Sequence, residues 1–386
     1  MKKHTYISLF SSAGVGCFGF KEENFECIAT NEIVEKRLNI QKINNKCKLE
    51  TGYICGDVRE EKTKHKIYNE INKWSNKSEN YIDVVIATPP CQGMSVANHK
   101  KSENEINRNS FVNESVEIIK KIQPKIFIFE NVSAFWKTGC INKEERIISI
   151  GEMIMQELGN KYLIHKDVIN FKNYGSNSSR TRTLVIGVLN SYSEKINPVE
   201  LFPEYRKEKS LKEVIGEMPP LKWGEYDKND FYHSFRTYPE HMRDWIKEIG
   251  EGENAFGNKD DLKKPHRVIN GKIVINKSKN ADKYRRQIFD KVAPCIHTRN
   301  DQMASQNTLH PKEDRVFSIR ELMKMMTIPD NFKWLNLELE ELNNLSFEEK
   351  RKLSKKEEMN IRQSIGEAVP TEIFRQIAKK INSFFR

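Results

Sequence analysis

The sequence predicts an α/β fold, a mostly parallel sheet flanked by helices and interrupted by a smaller irregular domain. Three observations predict it. Over the first 190 residues, short β-branched-rich apolar runs alternate with stretches of helical spacing. After Asn190 the alternation stops, and Pro198, Pro203, Pro219, Pro220 and Pro239 punctuate a segment of interleaved aromatic and basic residues. From Arg315 helical patterning returns. The boundaries that follow are residues 1–190 with 315–386 for the α/β domain and 191–314 for the second domain.

Taken in order, Thr5–Phe10, Glu26–Asn31, Tyr81–Thr88, Lys125–Glu130, Lys161–Ile169 and Thr183–Leu189 read as strands. Several are nearly continuous apolar runs, as strands covered on both faces should be. Phe111–Ile122 and Glu144–Leu158 carry helical spacing. Lys333–Asn360 is highly charged and reads as solvated helix. Thr371–Phe384 places Ile373, Phe374, Ile377, Ile381 and Phe384 on one face of an amphipathic helix.

Composition bounds the function. A chain of 386 residues, 37% hydrophobic, can bury a sizeable core. It has no apolar run of about 18 residues, so no transmembrane helix is expected. The basic start Met1–His4 leads directly into a strand without a signal-peptide cleavage pattern, and the chain reads as cytoplasmic. Lys and Arg number 65 against 54 Asp and Glu, a net charge of +11 that favours a polyanionic partner. The abundance of lysine throughout would give the same excess without such a partner. The seven cysteines form no C-x-x-C pair and are odd in number. That argues against a disulfide framework and against a metal site, and for reduced thiols.

The chemistry-bearing residues stand at expected strand ends. Ser8 to Gly16 holds Gly14 and Gly16 between a strand and a helix, where backbone can approach a ligand beside a helix N-terminus. Glu32 ends the next strand, where a carboxylate can meet ribose hydroxyls, and Gly56-Asp57 ends the following segment. Cys91 follows Pro89-Pro90 just past a buried strand and roots the polar stretch Gln92–Arg108. Glu130 closes the very apolar Phe127-Ile128-Phe129, where desolvation is expected to raise a carboxyl pKa. Arg180 and Arg182 alternate before a strand and suit a phosphate or carbonyl. Singly, each piece is equally a turn glycine, a solvated acid, a core thiol or a surface arginine pair.

Together, and in this order, they resemble the DNA cytosine-C5 methyltransferase family of bacterial restriction–modification systems. Phe10…Gly14-Val15-Gly16 is similar to its S-adenosylmethionine motif, Pro89-Pro90-Cys91-Gln92 to its Pro-Cys-Gln, Glu130-Asn131-Val132 to its Glu-Asn-Val, and Arg180-Thr181-Arg182 to its Arg-x-Arg. Asn107–Ser110 resembles the end of its catalytic loop. Arg315–Glu321 with Pro329-Asp330 resembles the motif after its target-recognition domain, and Gly366–Pro370 its last motif. The chain departs from the usual pattern with Ser8 for Asp, Ser178 for Gln, Ser318 for Thr and Glu367 for Asn.

The resemblance implies a Rossmann-like S-adenosylmethionine-dependent methyltransferase domain with a target-recognition domain at 191–314. It implies catalysis by Cys91, Glu130, Arg180 and Arg182, and S-adenosylmethionine bordered by Phe10, Gly14, Gly16, Glu32, Asp57, Pro89, Glu367 and Ala368. It further implies a monomer acting on double-stranded DNA, alongside a cognate restriction endonuclease. Cys91 would add to C6 of a flipped cytosine so that C5 can accept a methyl group. Arg236, Arg243, Arg267, Arg285 and Arg286 are the candidates for reading or gripping DNA. Two alternatives are methylation of a tRNA cytosine with the same site, and an idle nucleic-acid-binding scaffold on the same fold.

Overall fold

The computed structural model describes residues 3–74, 82–90, 110–141, 145–277 and 280–385. Cys91, the stretch after it through Asn109, and Tyr81 lie outside the described residues. The chain groups into two compact units. One comprises Met1–Tyr174, Thr181–Tyr205 and Val369–Arg386, the other Gly175–Arg180 and Arg206–Ala368.

The first unit is built on β1 (Thr5–Leu9), β2 (Glu26–Glu32), β3 (Tyr53–Cys55), β4 (Val84–Ala87) and β5 (Ile126–Val132). Next come a small separate pair, β6 (Gly139–Ile141) and β7 (Ile147–Ser149), and then β8 (Tyr162–Asn170) and β9 (Thr181–Leu189). Seven strands form one sheet in the order β3-β2-β1-β4-β5-β9-β8. Neighbours are parallel from β3 to β5 and antiparallel from β5 through β9 to β8. The fold class is therefore α/β with a mixed sheet. The short connection from β8 to β9 allows an antiparallel return, whereas the parallel neighbours need helical crossovers.

Both faces of the sheet are covered, which explains the continuous apolar runs. Ile7, Leu9, Val85, Ala87, Phe127 and Phe129 pack on one face with Val112, Val116, Ile119, Ile150 and Ile154. The alternate residues Tyr6, Val84, Ile86, Ile126 and Ile128 pack on the other with Phe20, Phe374, Ile377 and Ile381. Those last three come from the helix Thr371–Phe384, whose expected apolar face is thus buried beside α1 (Val15–Glu22). Thr371 Oγ1 donates to Val15 O at 3.1 Å, and Asn382 Nδ2 to Glu23 O at 2.8 Å.

One expectation needs correcting. The stretch Glu144–Leu158 is not helical throughout. Its helix is Ile150–Leu158, and β7 before it pairs antiparallel with β6. Ser149 sets the boundary, because its hydroxyl caps Glu152 N at 3.1 Å while Glu152 Oε2 accepts from Ser149 N at 2.8 Å. The compact units divide the chain at places other than 190/191 and 314/315. Residues 191–205 belong with the sheet, where Ile196 and Leu201 are buried, and Glu204 N donates to Gln376 Oε1 at 3.0 Å. Residues 315–368 belong with the second unit.

Buried polar contacts bind that second unit together. Arg320 pairs with Asp230, and Arg315 with Glu313 and Glu321. Arg362, fully buried, donates to Phe317 O at 2.9 Å, and Asn300 Nδ2 donates to Arg362 O at 2.9 Å. The apolar core holds Leu221, Phe235, Trp245, Ile246, Ile249, Tyr284, Met303, Leu309 and Val316. Regular strands among its described residues are β10 (His266–Ile269) and β11 (Lys272–Ile275), an antiparallel ribbon. The charged stretch after Lys333 forms the helices Leu339–Asn344 and Phe347–Glu367.

Candidate active site

Because β1 to β5 are parallel, their carboxyl ends lie along one edge of the sheet. The connections run outward in opposite directions from β1 and β4, so the crevice past these two strands is the switch point where such sheets bind ligands. The turn after β1 is tightly wound there, with Phe10, Ser12 and Gly14 at φ of 56°, 45° and 78°. Two non-glycine residues in left-handed conformations are costly and need support. Three buried side chains give it. Gln41 Nε2 donates to Ser11 Oγ at 2.7 Å and to Ser12 O at 2.6 Å. Lys46 Nζ reaches Thr30 Oγ1 and Gln41 Oε1, both at 2.9 Å. Nothing in the residue pattern marked Thr30, Gln41 and Lys46 as the floor of this turn.

Glu32 ties the turn to β2. Its Oε2 accepts from Ser12 N at 2.7 Å and its Oε1 from Val34 N at 2.9 Å. Gly14 leads into α1, donating its N–H to Ser11 O at 2.9 Å. Gly16 also serves the packing. A side chain there would meet Val369 and Phe374 at 3.1 Å, so its bareness lets the C-terminal helix close on α1.

Past β3, Asp57 is gripped by Arg59, whose Nε lies 3.1 Å from both carboxylate oxygens and whose Nη2 lies 2.6 Å from Oδ2. That guanidinium holds the Asp57 carboxyl below its usual pKa. It also lies 4.5 Å over the Phe111 ring, which meets Phe10 edge-on at 5.6 Å. Arg59 and Phe111 thereby join Phe10 and Asp57 into one wall.

Thr88 and Pro89 leave β4 beside this turn. Thr88 Oγ1 donates to Phe10 O at 3.1 Å, and Asn131 Nδ2 donates to the Pro89 carbonyl at 2.8 Å. Asn131 so fixes the backbone two residues before Cys91, which itself lies outside the described residues. Glu130, 6% exposed, faces Arg182 across the β5–β9 pair, with Nε 3.2 Å from Oε1. The approach is an ion pair without hydrogen-bond alignment, and the buried Oε1 has no hydrogen-bond partner among the described residues.

Arg180 is turned toward backbone carbonyls. Within the second unit its buried guanidinium donates to Gly366 O at 3.0 Å, Glu367 O at 3.3 Å and Ile296 O at 3.4 Å. It anchors the end of the helix Phe347–Glu367, after which Ala368 is extended. Arg180 is thus a positioning residue for Glu367 and Ala368. The departures are accommodated locally. Ser8 Oγ contacts Cys17 Sγ at 3.3 Å, Ser178 is buried beside Ser176, and Ser318 caps the helix Ile319–Met325.

A family model for the C-5 cytosine-specific DNA methylases matches residues 4–383. The chain belongs to this family. The methylase is 29% identical to the type II methyltransferase M1.HgaI of Avibacterium volantium over 99% of both chains. It is 25% identical to M1.HphI of Haemophilus parahaemolyticus, covering 98% of this chain and 86% of that one. Its fold is shared with a protein described as a DNA modification methyltransferase encoded within an E. coli prophage, at TM-score 0.65, 16% identity and 99% coverage of each chain. It is also shared with DNMT2 of Spodoptera frugiperda, at TM-score 0.55, 15% identity and coverage of 98% and 100%.

Methyl transfer implies S-adenosylmethionine, and the residues at the switch point fit it. Each Glu32 oxygen accepts one backbone N–H and has a further acceptor direction that a ribose diol would use. Ile33 beside it, 62% exposed, offers an apolar surface to a purine. Phe10, Asp57 and Pro89 complete the edge of the methylase sheet around these groups.

Proposed function

We propose that this methylase modifies C5 of one cytosine in a specific double-stranded DNA sequence, through a covalent bond between Cys91 and C6 of a flipped-out base. The observation that carries the reading is Glu130. A buried carboxylate with an uncommitted oxygen stands at the end of β5, beside Arg182 and next to the Asn131 that holds the strand leading to Cys91.

Cytosine C5 is a poor nucleophile until a thiolate adds at C6. As the carbon–sulfur bond forms, ring electrons move toward N3, to which the Glu130 carboxyl in its protonated form would donate a hydrogen bond, and C5 becomes enamine-like. Arg182 balances the charge of Glu130 and of the base carbonyl. Glu32, Asp57 and the Phe10–Gly14 turn would hold S-adenosylmethionine, which when bound would supply the methyl group. Removal of the C5 proton then restores the aromatic ring and expels the thiolate. A stacked base is out of reach of the thiol, so the base must leave the helix, at a cost of a few kcal/mol. The type II relatives support a role in restriction–modification; the reading further places the enzyme in the cytoplasm as a monomer beside a cognate endonuclease.

Duplex DNA carrying 5-fluorocytosine tests this reading. Fluorine cannot leave as a cation, so the protein is expected to remain bonded to the DNA through Cys91. Cys91→Ser should give no adduct. An adduct mapped to another cysteine, or methyl transfer to tRNA with none to DNA, would overturn the reading.

A further inference from the structure

The second unit sorts the arginines that could meet DNA. Arg286 is buried and spends its guanidinium on Ile246 O, Ile249 O, Glu313 O, His310 O and Asp314. It is a structural cation. Arg285 is held by Asp282 and Gly252 O, Arg236 by Asp301, and Arg243 by Asp314 over the Trp223 ring. Arg267 alone of the five is exposed and without an ion pair among the described residues.

Arg267 lies on the β10–β11 ribbon, whose composition is unusual for an exposed element. Register pairs Arg267 with Val274, Val268 with Ile273 and Ile269 with Lys272. Side chains alternate in a strand, so Val268 and Ile273 share one face while Arg267, Ile269, Lys272 and Val274 share the other. Val268 is 65% exposed, and Ile269, Ile273 and Val274 are exposed with it. The tip is Asn270-Gly271 at φ of 49° and 73°, the tight turn that matches strand twist, and a side chain at Gly271 would meet nothing within 4 Å. The root is fixed, with the His266 ring 5.3 Å from that of Trp245 and Asn276 N donating to Pro265 O at 2.8 Å. A ribbon anchored at its root, bare at its tip and apolar on both faces gains nothing for the stability of its own unit. Between Lys259 and Lys277 the sequence carries six lysines and arginines against two aspartates, a surface complementary to a polyanion.

We propose that this ribbon enters a groove of the target duplex and reads its sequence, with Arg267 on a base edge and the valines and isoleucines against base methyl groups or steps. The major groove admits a two-stranded ribbon, and arginine on guanine is its commonest specific contact. The inference rests on the reading of the chain as a DNA methylase.

The test uses the full chain. Bisulfite sequencing of DNA methylated by the wild type first gives the preferred site. Affinity for that site and for a scrambled duplex is then measured for the wild type, Arg267→Gln, and the pair Val268→Ser/Ile273→Ser. Arg267→Gln is expected to cut the ratio of the two affinities about 5- to 100-fold and to relax the preference at one position. The serine pair should also lower the ratio. These residues are exposed, so thermal unfolding should match the wild type. An unchanged ratio in both variants, including a uniform loss on all sequences or a change in self-association instead, overturns the proposal. A wild type that methylates no duplex at all would instead sink the reading beneath it.

Discussion

Arg59 joins three parts of the proposed cofactor wall without being a motif residue. It clamps Asp57 through three N–H groups and covers the Phe111 ring that touches Phe10. An exposed ion pair of this kind adds little stability, but it fixes where the Asp57 carboxylate points. Arg59→Ala is therefore expected to weaken S-adenosylmethionine binding roughly threefold to tenfold, the scale of one hydrogen bond or exposed cation–π contact. Calorimetric titration reads this directly, and the unfolding temperature should stay put. Unchanged affinity would show that Asp57 needs no clamp. The comparison of Asp57 with Arg59 also indicates what a sequence exposes at this scale. An acid or thiol at the end of an apolar run advertises itself, as Glu32, Asp57 and Glu130 did. The partners that orient it come from elsewhere in the chain with no fixed spacing, as Arg59, Gln41 and Lys46 do. Charge alone misleads in the same way. Arg286 looks like a ligand-binding cation in sequence, yet burial turns it toward backbone carbonyls.

Elements with strong periodicity were legible, and those fixed by local hydrogen bonding were not. β1, β2, β4, β5, β8 and β9 follow from apolar runs, and Thr371–Phe384 from its single apolar face. β3 is three residues long and has too little sequence to show a period. β7 hid in a helical pattern that only the Ser149 cap divides. The packing of α1 on the C-terminal helix was foreseeable as burial but not as close approach. Its tightest point is Gly19, where an added Cβ would lie 2.5 Å from Arg375 N and 2.6 Å from Thr371 O. Two effects compete in Gly19→Ala. Helix propensity favours alanine by about 1 kcal/mol. A clash with backbone atoms of a second helix cannot be relieved by a rotamer change and costs about 1–3 kcal/mol in a packed core. Steric conflict should win, lowering the unfolding temperature by a few degrees. A variant more stable than the wild type would mean that the two helices are not held at this distance.

Over the whole molecule, domain texture was legible in the sequence, whereas the packing of distant segments on one another was not, because buried polar contacts between residues far apart in the chain set it. Arg320 pairs with Asp230, ninety residues away, and Arg362 reaches Asn300 and Phe317, so the helical stretch 315–368 packs with the irregular segment. Buried polar groups of this unit give the molecule a pH dependence. His310 is buried beside Glu313, Glu321, Arg315 and Arg286, and burial lowers its pKa from 6.5 to about 4. Its Nδ1 accepts from Glu313 N at 2.9 Å and Lys312 N at 3.2 Å, which requires that nitrogen to be unprotonated. Between pH 6.5 and 4 the unfolded chain takes up a proton at this residue while the folded chain does not. Stability is then present above pH 6.5 and is lost as pH falls toward 4, by about 3 kcal/mol from this group. Glu321 adds a second arm, since its pKa of about 2 puts stability above its ordinary value of 4.5 that is lost as pH falls to 2. Burial opposes that depression, and the Arg315 guanidinium overcomes it. Urea unfolding of the wild type and of His310→Gln at a series of pH values separates the arms. Glutamine carries no proton equilibrium, so the stability difference between the two proteins should shrink as pH falls from 6.5 to 4 and level off below. A difference independent of pH would mean that His310 titrates alike in the folded and unfolded chains.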